Sequence, residues 1–188
     1  MELNNNRLFV ISDTHFCHAN IIKYCSRPFE TADLMNKVMI ENWNNVVNKD
    51  DVVLHLGDIT AGVGKLKDQR TQEIISQLNG KKIFVRGNHD NGVRCVGMLD
   101  TFSFYWYGVK IHCEHIPNTF FQDLGDFHLH GHIHQNKINL KNSFNCSVEN
   151  INYTPTRLSE IIEKHYDSKI NSRRSDTVRE LCKAGLGS

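Results

Sequence analysis

The sequence predicts an α/β fold with a parallel sheet in its first half. Three short apolar runs carry that prediction: residues 7–12, 52–56 and 82–85. Runs of this length, rich in Val, Ile, Leu and Phe, read as strands buried on both faces. Stretches of helical periodicity separate them, and a strand–helix–strand–helix–strand order argues a parallel sheet. Each run also ends in polar residues, namely Asp13-x-His15, Gly57-Asp58 and Gly87-Asn88-His89-Asp90. In open α/β sheets, ligand-handling groups lie at the carboxyl ends of the strands.

The first run leads through Asp13 and His15 to His18 and Asn20, and Pro28 after Arg27 requires a turn or an extended piece. Thr31 can cap a helix running to about Val47, because Leu34, Met35, Val38, Met39, Trp43, Val46 and Val47 recur on one side. Lys49-Asp50-Asp51 is a turn before the second run, and Gly62 and Gly64 mark a loop after it. Residues 65–78 read as an amphipathic helix through Leu66, Ile74, Ile75 and Leu78, ended by Asn79-Gly80. The third run delivers Asn88, His89 and Asp90 ahead of an Asn91-Gly92 turn.

The second half has a different rhythm. Residues 101–106 and 109–116 flank Tyr107-Gly108 and read as a hairpin. A loop over 118–126 precedes a strand at 127–130 that enters Gly131-His132-x-His134. Residues 137–140 and 144–148 are expected as two more short strands. Pro155 and Thr156 are expected to open a last helix through Leu158, Ile161 and Ile162. The domain is expected to span 1–166. Residues 167–188 form a polar, basic tail with adjacent Arg173 and Arg174, too poor in apolar residues to join the core and expected to be weakly ordered.

At 188 residues the chain fits one domain with a full core. A net charge of +1 argues against a protein-wide nucleic-acid or membrane surface. No apolar run is long enough to span a bilayer. The first residues, Met1 to Asn6, lack the basic and apolar regions of a signal peptide, so a cytoplasmic location is expected. None of the six cysteines forms a C-x-x-C pair, and reduced, mostly buried thiols are expected.

The chemistry lies in the 11 histidines and their acidic neighbours. Taken singly, Asp13-x-His15 is a solvated turn, Asp58 a turn or cap residue, and any one His a satisfied polar group. Together, Asp13, His15, Asp58, Asn88, His115, His132 and His134 form a set of carboxylates, imidazoles and one amide oxygen, without thiolate. Such a set suits Mn²⁺, Fe, Zn²⁺ or Ni²⁺. Seven ligands exceed what one catalytic ion with open positions needs and suffice for two ions sharing a carboxylate. Two-metal sites hold ions ~3.5–4 Å apart, clamp a phosphoryl group and make hydroxide available near neutral pH.

These blocks, in this order and with these strand contexts, resemble the calcineurin-like metallophosphoesterase superfamily. Within it the chain is similar to a group of small bacterial and phage phosphoesterases. The similarity lies in Ile11 to Phe16 with His18 and Asn20 to Ile22, Arg27 to Phe29, Asn42 to Asn44, and Val148 to Ile161, and it covers about residues 7–165. The resemblance implies a four-layer α/β/β/α sandwich with two mixed sheets. It implies that Asp13, His15 and His134 bind one ion, that Asn88, His115 and His132 bind a second, and that Asp58 bridges them. His89 then faces the phosphate, protonating the leaving oxygen or stabilising phosphoryl charge, with Asp90 orienting it. The family pattern selects His115 over His112, because the ligand precedes an x-Pro, and gives His128 and His130 no ligand role. His18, Asn20 and Arg27 are weaker candidates for substrate binding. Arg27 could bind a phosphate bidentately or pair with Glu30.

The implied activity is hydrolysis of a phosphodiester or phosphomonoester by in-line attack of a metal-bound hydroxide, on a small nucleotide-like substrate, with Mn²⁺ as the first choice of metal. Gly57-Asp58-Ile59-Thr60 lacks the second acid that many members carry after the bridging Asp. A nuclease of the same fold, with Tyr105, Trp106 and Tyr107 offering aromatics for stacking, is a less favoured alternative. A non-catalytic binding scaffold is the alternative from another class.

Overall fold

The computed structural model describes residues 7–60, 64–118 and 124–166. Strands β1 (Leu8–Ile11), β2 (Val52–His55) and β3 (Lys81–Val85) pair in parallel, as their order in the chain requires. The connections between them carry α1 (Ala19–Tyr24), α2 (Ala32–Val46) and α3 (Gly64–Gln77). Two short strands extend this sheet, β4 (Met98–Leu99) parallel to β3 and β9 (Thr156–Arg157) antiparallel to β1. The second sheet has the order β5 (Thr101–Trp106), β6 (Val109–Glu114), β7 (Phe127–His130) and β8 (Ser143–Asn145). Only β5 and β6 are antiparallel; β6–β7 and β7–β8 are parallel, so both sheets are mixed.

The strand period of two divides the core. Leu8, Val10, Val52 and Leu54 pack toward Val109, Ile111, Cys113, Phe127 and Leu129 of the second sheet. Their alternates Phe9, Ile11 and Val53, with Phe84, pack against Met35, Met39 and Trp43 of α2 and Ile74 of α3. Apolar residues four apart give α2 one buried stripe. Its start is fixed by Thr31, whose side chain accepts the Leu34 N–H at 3.2 Å. Helix α4 (Leu158–His165) sends Leu158, Ile161 and Ile162 into the inter-sheet core beside β1, β8 and β9. The expected two-sheet α/β sandwich is therefore formed, with α4 closing the edge between the sheets beside β1, β9 and β8.

Several local expectations need correcting. Pro155 and Thr156 do not open the last helix; Thr156 pairs with Val10 across the edge of β1, and the helix starts at Leu158. Residues 137–140 form no strand, while the strand expected at 144–148 is Ser143–Asn145 followed by a 3-10 turn at Val148–Asn150. Helix α1 and strand β4 were not expected. Of the cysteines, Cys113 and Cys146 are buried but Cys17, Cys25 and Cys95 are only partly so; all five are free thiols. Cys182, Gly62, part of the 118–126 loop and the 167–188 tail lie outside the described residues.

Candidate metal centre

The loops beyond the strand ends are tied to one another by main-chain hydrogen bonds. Asp13 N–H donates to Gly57 O and His15 N–H to Asp58 O, both at 2.9 Å, which continues the β1–β2 pairing past the strands. Gly131 N–H donates to His115 O at 2.9 Å and joins the loops after β6 and β7. Ser12 N–H to Cys146 O at 2.8 Å and Val148 N–H to Ser12 O at 3.1 Å connect the two sheets at the same place. Every predicted ligand block is thus fixed at one meeting point.

Asp13, His15 and His134 offer one ligand atom each, all within 4.8 Å of one another. Asn88, His115 and His132 converge as closely: Asn88 Oδ1 lies 2.9 Å from both His115 Nε2 and His132 Nδ1. Between the groups, Asp58 Oδ2 lies 3.4 Å from His15 Nε2 and 3.4 Å from His115 Nε2. One carboxylate oxygen equidistant from both groups is the geometry expected of a bridge.

The hydrogen bonds around these groups fix their ligand atoms. His115 Nδ1 sits 2.7 Å from Leu56 O. A carbonyl only accepts, so Nδ1 carries the hydrogen and Nε2 is left to face Asn88 and Asp58. His134 Nδ1 lies 3.1 Å from Glu149 Oε1, and the same reasoning frees its Nε2, 4.0 Å from Asp13 Oδ1. Asp13 Oδ2 accepts Ser147 Oγ–H and His132 N–H, each at 2.9 Å. His15 is 1% exposed, yet neither ring nitrogen has a hydrogen-bond partner. A buried imidazole in that state is costly, and a cation resolves it. The residues therefore fit divalent metal ions.

Backbone conformation supports the same reading. Asp13, His15, Asp58, His132 and His134 all have positive φ, between 48° and 72°. Such conformations are uncommon outside glycine and cluster at functional sites. Close approach explains two glycines. A Cβ on Gly87 would strike Asp58 N and Oδ1, and one on Gly131 would strike Ser12 Oγ and Asp13 Oδ2.

The charges are coupled. Burial raises the Asp58 carboxyl, but the hydrogen bond and charge of His115, the charge of His15 and the His89 N–H outweigh it and hold it well below the usual range. Burial lowers His115, but Asp58 and Asp13 outweigh that and raise it to about 9. Burial, with no adequate counter-charge, lowers His15 well below its ordinary value. Burial likewise raises Asp13, against the favourable charges of His115 and His134.

His89 is exposed beside these groups, its ring centroid 5.2 Å from that of His15. Its main chain is held by Asp58 Oδ1, which accepts His89 N–H at 2.8 Å, and by Lys67 Nζ, which donates to its carbonyl. His18 joins the same wall, 5.5 Å from His15 and 6.4 Å from His89. Asn20 is exposed on α1, and no hydrogen bond joins it to these residues among the described residues.

Two expected roles differ from what the structure shows. No hydrogen bond joins the Asp90 carboxylate to the His89 ring among the described residues. Asp90 is fully buried and accepts three main-chain N–H groups, from Asp58 at 2.7 Å, Gly87 at 2.8 Å and Ile59 at 2.9 Å, so it fastens the β2 and β3 loops together. Arg27 pairs with Glu149 and not with Glu30. Its buried guanidinium meets Glu149 Oε1 at 2.7 and 2.9 Å and donates to Asp13 O and Thr14 O.

Sequence reasoning missed the supporting residues Glu149, Ser147 and Lys67. Their contacts span 15 to 134 positions, and no local spacing signals them. Trp106 is buried in the inter-sheet core while Tyr105 is exposed, so the aromatic run is not a single stacking surface.

The chain is similar to known proteins. The model of the calcineurin-like phosphoesterase family matches residues 7–178. An uncharacterized protein of Methanocaldococcus jannaschii is 38% identical over 169 residues, covering 86% of this chain and 92% of that one. Among solved structures, a protein of unknown function from Aquifex aeolicus is 26% identical with a TM-score of 0.67, covering 84% of this chain and 98% of that one. An archaeal phosphodiesterase is 19% identical with a TM-score of 0.43, over 74% and 81% of the two chains. No helix among the described residues is long and apolar enough to cross a membrane.

Proposed function

The chain belongs to the calcineurin-like phosphoesterase family, and from that premise we propose that it is a dinuclear metal-dependent hydrolase of small phosphate esters, with phosphodiesters of nucleotide-like compounds as the favoured class. The observation that supports this most strongly is the placement of Asp58 Oδ2, 3.4 Å from both His15 Nε2 and His115 Nε2. One ion would be held by Asp13, His15, His134 and Asp58, and the other by Asn88, His115, His132 and Asp58. Such ions, Mn²⁺ in the first place and Ni²⁺, Fe or Zn²⁺ otherwise, supply Lewis acidity toward phosphoryl oxygens and lower the pKa of a water.

The chain's own residues complete the reaction. His89, exposed beside the first group and fixed through its main chain, delivers a proton to the leaving oxygen or offsets charge on the phosphoryl group. His18 extends that wall toward the substrate. An open groove lined by Asn88, Asn91, Asp100, Thr101 and Ile116 leads to His115 and leaves room for a small ester.

The test is turnover of bis(4-nitrophenyl) phosphate beside 4-nitrophenyl phosphate, using metal-stripped protein resupplied with Mn²⁺, Ni²⁺, Zn²⁺ or Mg²⁺. Metal-dependent turnover is expected, with two ions bound per chain at these ligands. His89→Ala should retain both ions and lose roughly 10²–10⁴ in turnover, the range for a general acid. Two bound ions without hydrolysis of either ester would favour the scaffold reading.

A further inference from the structure

Helix α3 buries one stripe of residues at helical spacing: Lys67, Thr71 and Ile74, continued by Leu78 just past its end. Lys67 is 3% exposed. A lysine is almost never fully buried without a partner charge, and burying an ammonium is costly. Among the described residues Lys67 makes no ion pair. Its Nζ donates instead to two main-chain carbonyls, of His89 and, at 3.3 Å, of Asn91. An apolar side chain would fill the same place in the stripe at lower cost, so packing alone does not account for the lysine.

What it holds is the main chain of an exposed imidazole. Among the described residues no hydrogen bond reaches the His89 ring, so its position is set by the peptide groups on either side of its Cα. The N–H is tied to Asp58 Oδ1 at 2.8 Å and the C=O to Lys67. Asp58 is one of the candidate ligands; Lys67 is the anchor of His89 that stands apart from them. Helix α3 braces the same loop at further points. Asp68 Oδ1 accepts the N–H of Arg94 at 2.6 Å and of Cys95 at 2.7 Å. Thr71 donates to Lys67 O at 2.8 Å and is hydrogen-bonded to Thr60 in the loop after β2.

We propose that Lys67 is a positioning residue for His89, its ammonium fixing the main chain of residues 89–91 from α3 so that the imidazole keeps its place beside His15. This rests on the reading of His89 as the group that acts on the phosphoryl transfer. An ammonium suits the task, because it has three donors and no acceptor and can take carbonyls from two points of a turn at once. Burial lowers the Lys67 ammonium, and the charges of Asp90 and Asp58 oppose that. Lys67 therefore also places positive charge near Asp58, which works against the binding of a cation there. Removing it acts in opposite directions on the two properties of the site: the imidazole loses its support, while metal ions lose a repulsion.

The test is Lys67→Met, which keeps an unbranched chain in the stripe and removes the donors. It should lower kcat on bis(4-nitrophenyl) phosphate by roughly 10–100-fold, the scale of a small misplacement of a reacting group, with KM little changed. Mn²⁺ affinity should hold or rise. In a His89→Ala background the same substitution should cost nothing further, because a residue that acts through another is not additive with it. Lys65→Met, at an exposed position of the same helix, should leave turnover unchanged. An equal loss with and without His89, or weaker Mn²⁺ binding, would make Lys67 a folding residue and overturn the proposal. Crystals of Lys67→Met give an answer that does not depend on activity: the His89 ring is expected to leave its place beside His15, and an unmoved ring would overturn the proposal. If the wild-type chain binds two ions yet turns over neither ester, the functional reading fails, and the ring position in those crystals still decides for or against Lys67.

Discussion

The carboxylate of Asp90 accepts the main-chain N–H of Asp58 at 2.7 Å, so the residue after His89 holds the backbone of Asp58. Two further N–H groups, of Ile59 and Gly87, share the same carboxylate. Removing it leaves three buried donors unpaired, each costing about 1–3 kcal/mol. Asp90→Ala is therefore expected to destabilise the protein by at least about 3 kcal/mol in urea unfolding and to weaken metal binding. A variant of full stability with reduced turnover would instead restore the idea that Asp90 acts through the His89 imidazole.

Gly131 has no room for a side chain, because a Cβ there would overlap Ser12 Oγ and Asp13 Oδ2. Asp13 is also oriented by Ser147 and by the His132 N–H, so moving it disturbs the Asp13–His15–His134 group directly. Gly131→Ala should lower metal affinity there by about 10–100-fold, the usual effect of disturbing a ligand's support. Gly97→Ala, where an added methyl meets nothing within 4 Å, should leave affinity unchanged. Isothermal titration with Mn²⁺ compares the two.

What could be read from the sequence depended on how local the signal was. β1 and β2 are apolar along their whole length because both faces are buried, and such runs stand out. The ligand blocks were legible because each follows such a strand within a few residues. Residues 137–140 alternate like a strand, yet that alternation alone did not bring them into the sheet, and β8 pairs with β7 instead. Helix α1 has six residues and one buried side chain, Ile21, too little for a periodic signal. Strand β9 is two residues long, its pairing set by β1. Arg27 was recognised as a candidate phosphate ligand, but its partner lies 122 positions away, where no spacing rule reaches.

That partner makes Glu149 a joint between two buried elements. Its Oε1 receives the guanidinium of Arg27 and the Nδ1–H of His134. Glu149→Ala strands a buried cation, a change worth about 3–5 kcal/mol, and lets the His134 ring turn. Lower stability and about 10–100-fold weaker binding at Asp13, His15 and His134 are expected. Adding Arg27→Met should recover stability, since the stray charge is gone, without recovering metal affinity. If affinity returned with stability, Glu149 would be a folding residue and not a support for His134.

The proton balance of His115 gives a stability profile specific to chelated protein. Burial disfavours its charge, but Asp58 and Asp13 outweigh burial and raise its pKa to about 9, above the ~6.5 of an unfolded histidine. His134 is shifted in the same direction, burial being outweighed by Glu149 and Asp13. A raised folded value means the native state holds the proton more tightly. The resulting stabilisation is complete below about pH 6.5 and is lost as pH rises through about 9. Unfolding in excess chelator should therefore show the stability of wild type relative to His115→Gln falling by about 2–3 kcal/mol between those limits. Because divalent ions require the unprotonated imidazole, Mn²⁺ affinity should rise across the same interval and release protons measurable in weakly buffered solution. A wild-type stability that does not fall relative to His115→Gln from pH 6.5 to 9 would mean that Asp58 does not hold His115 in its protonated form.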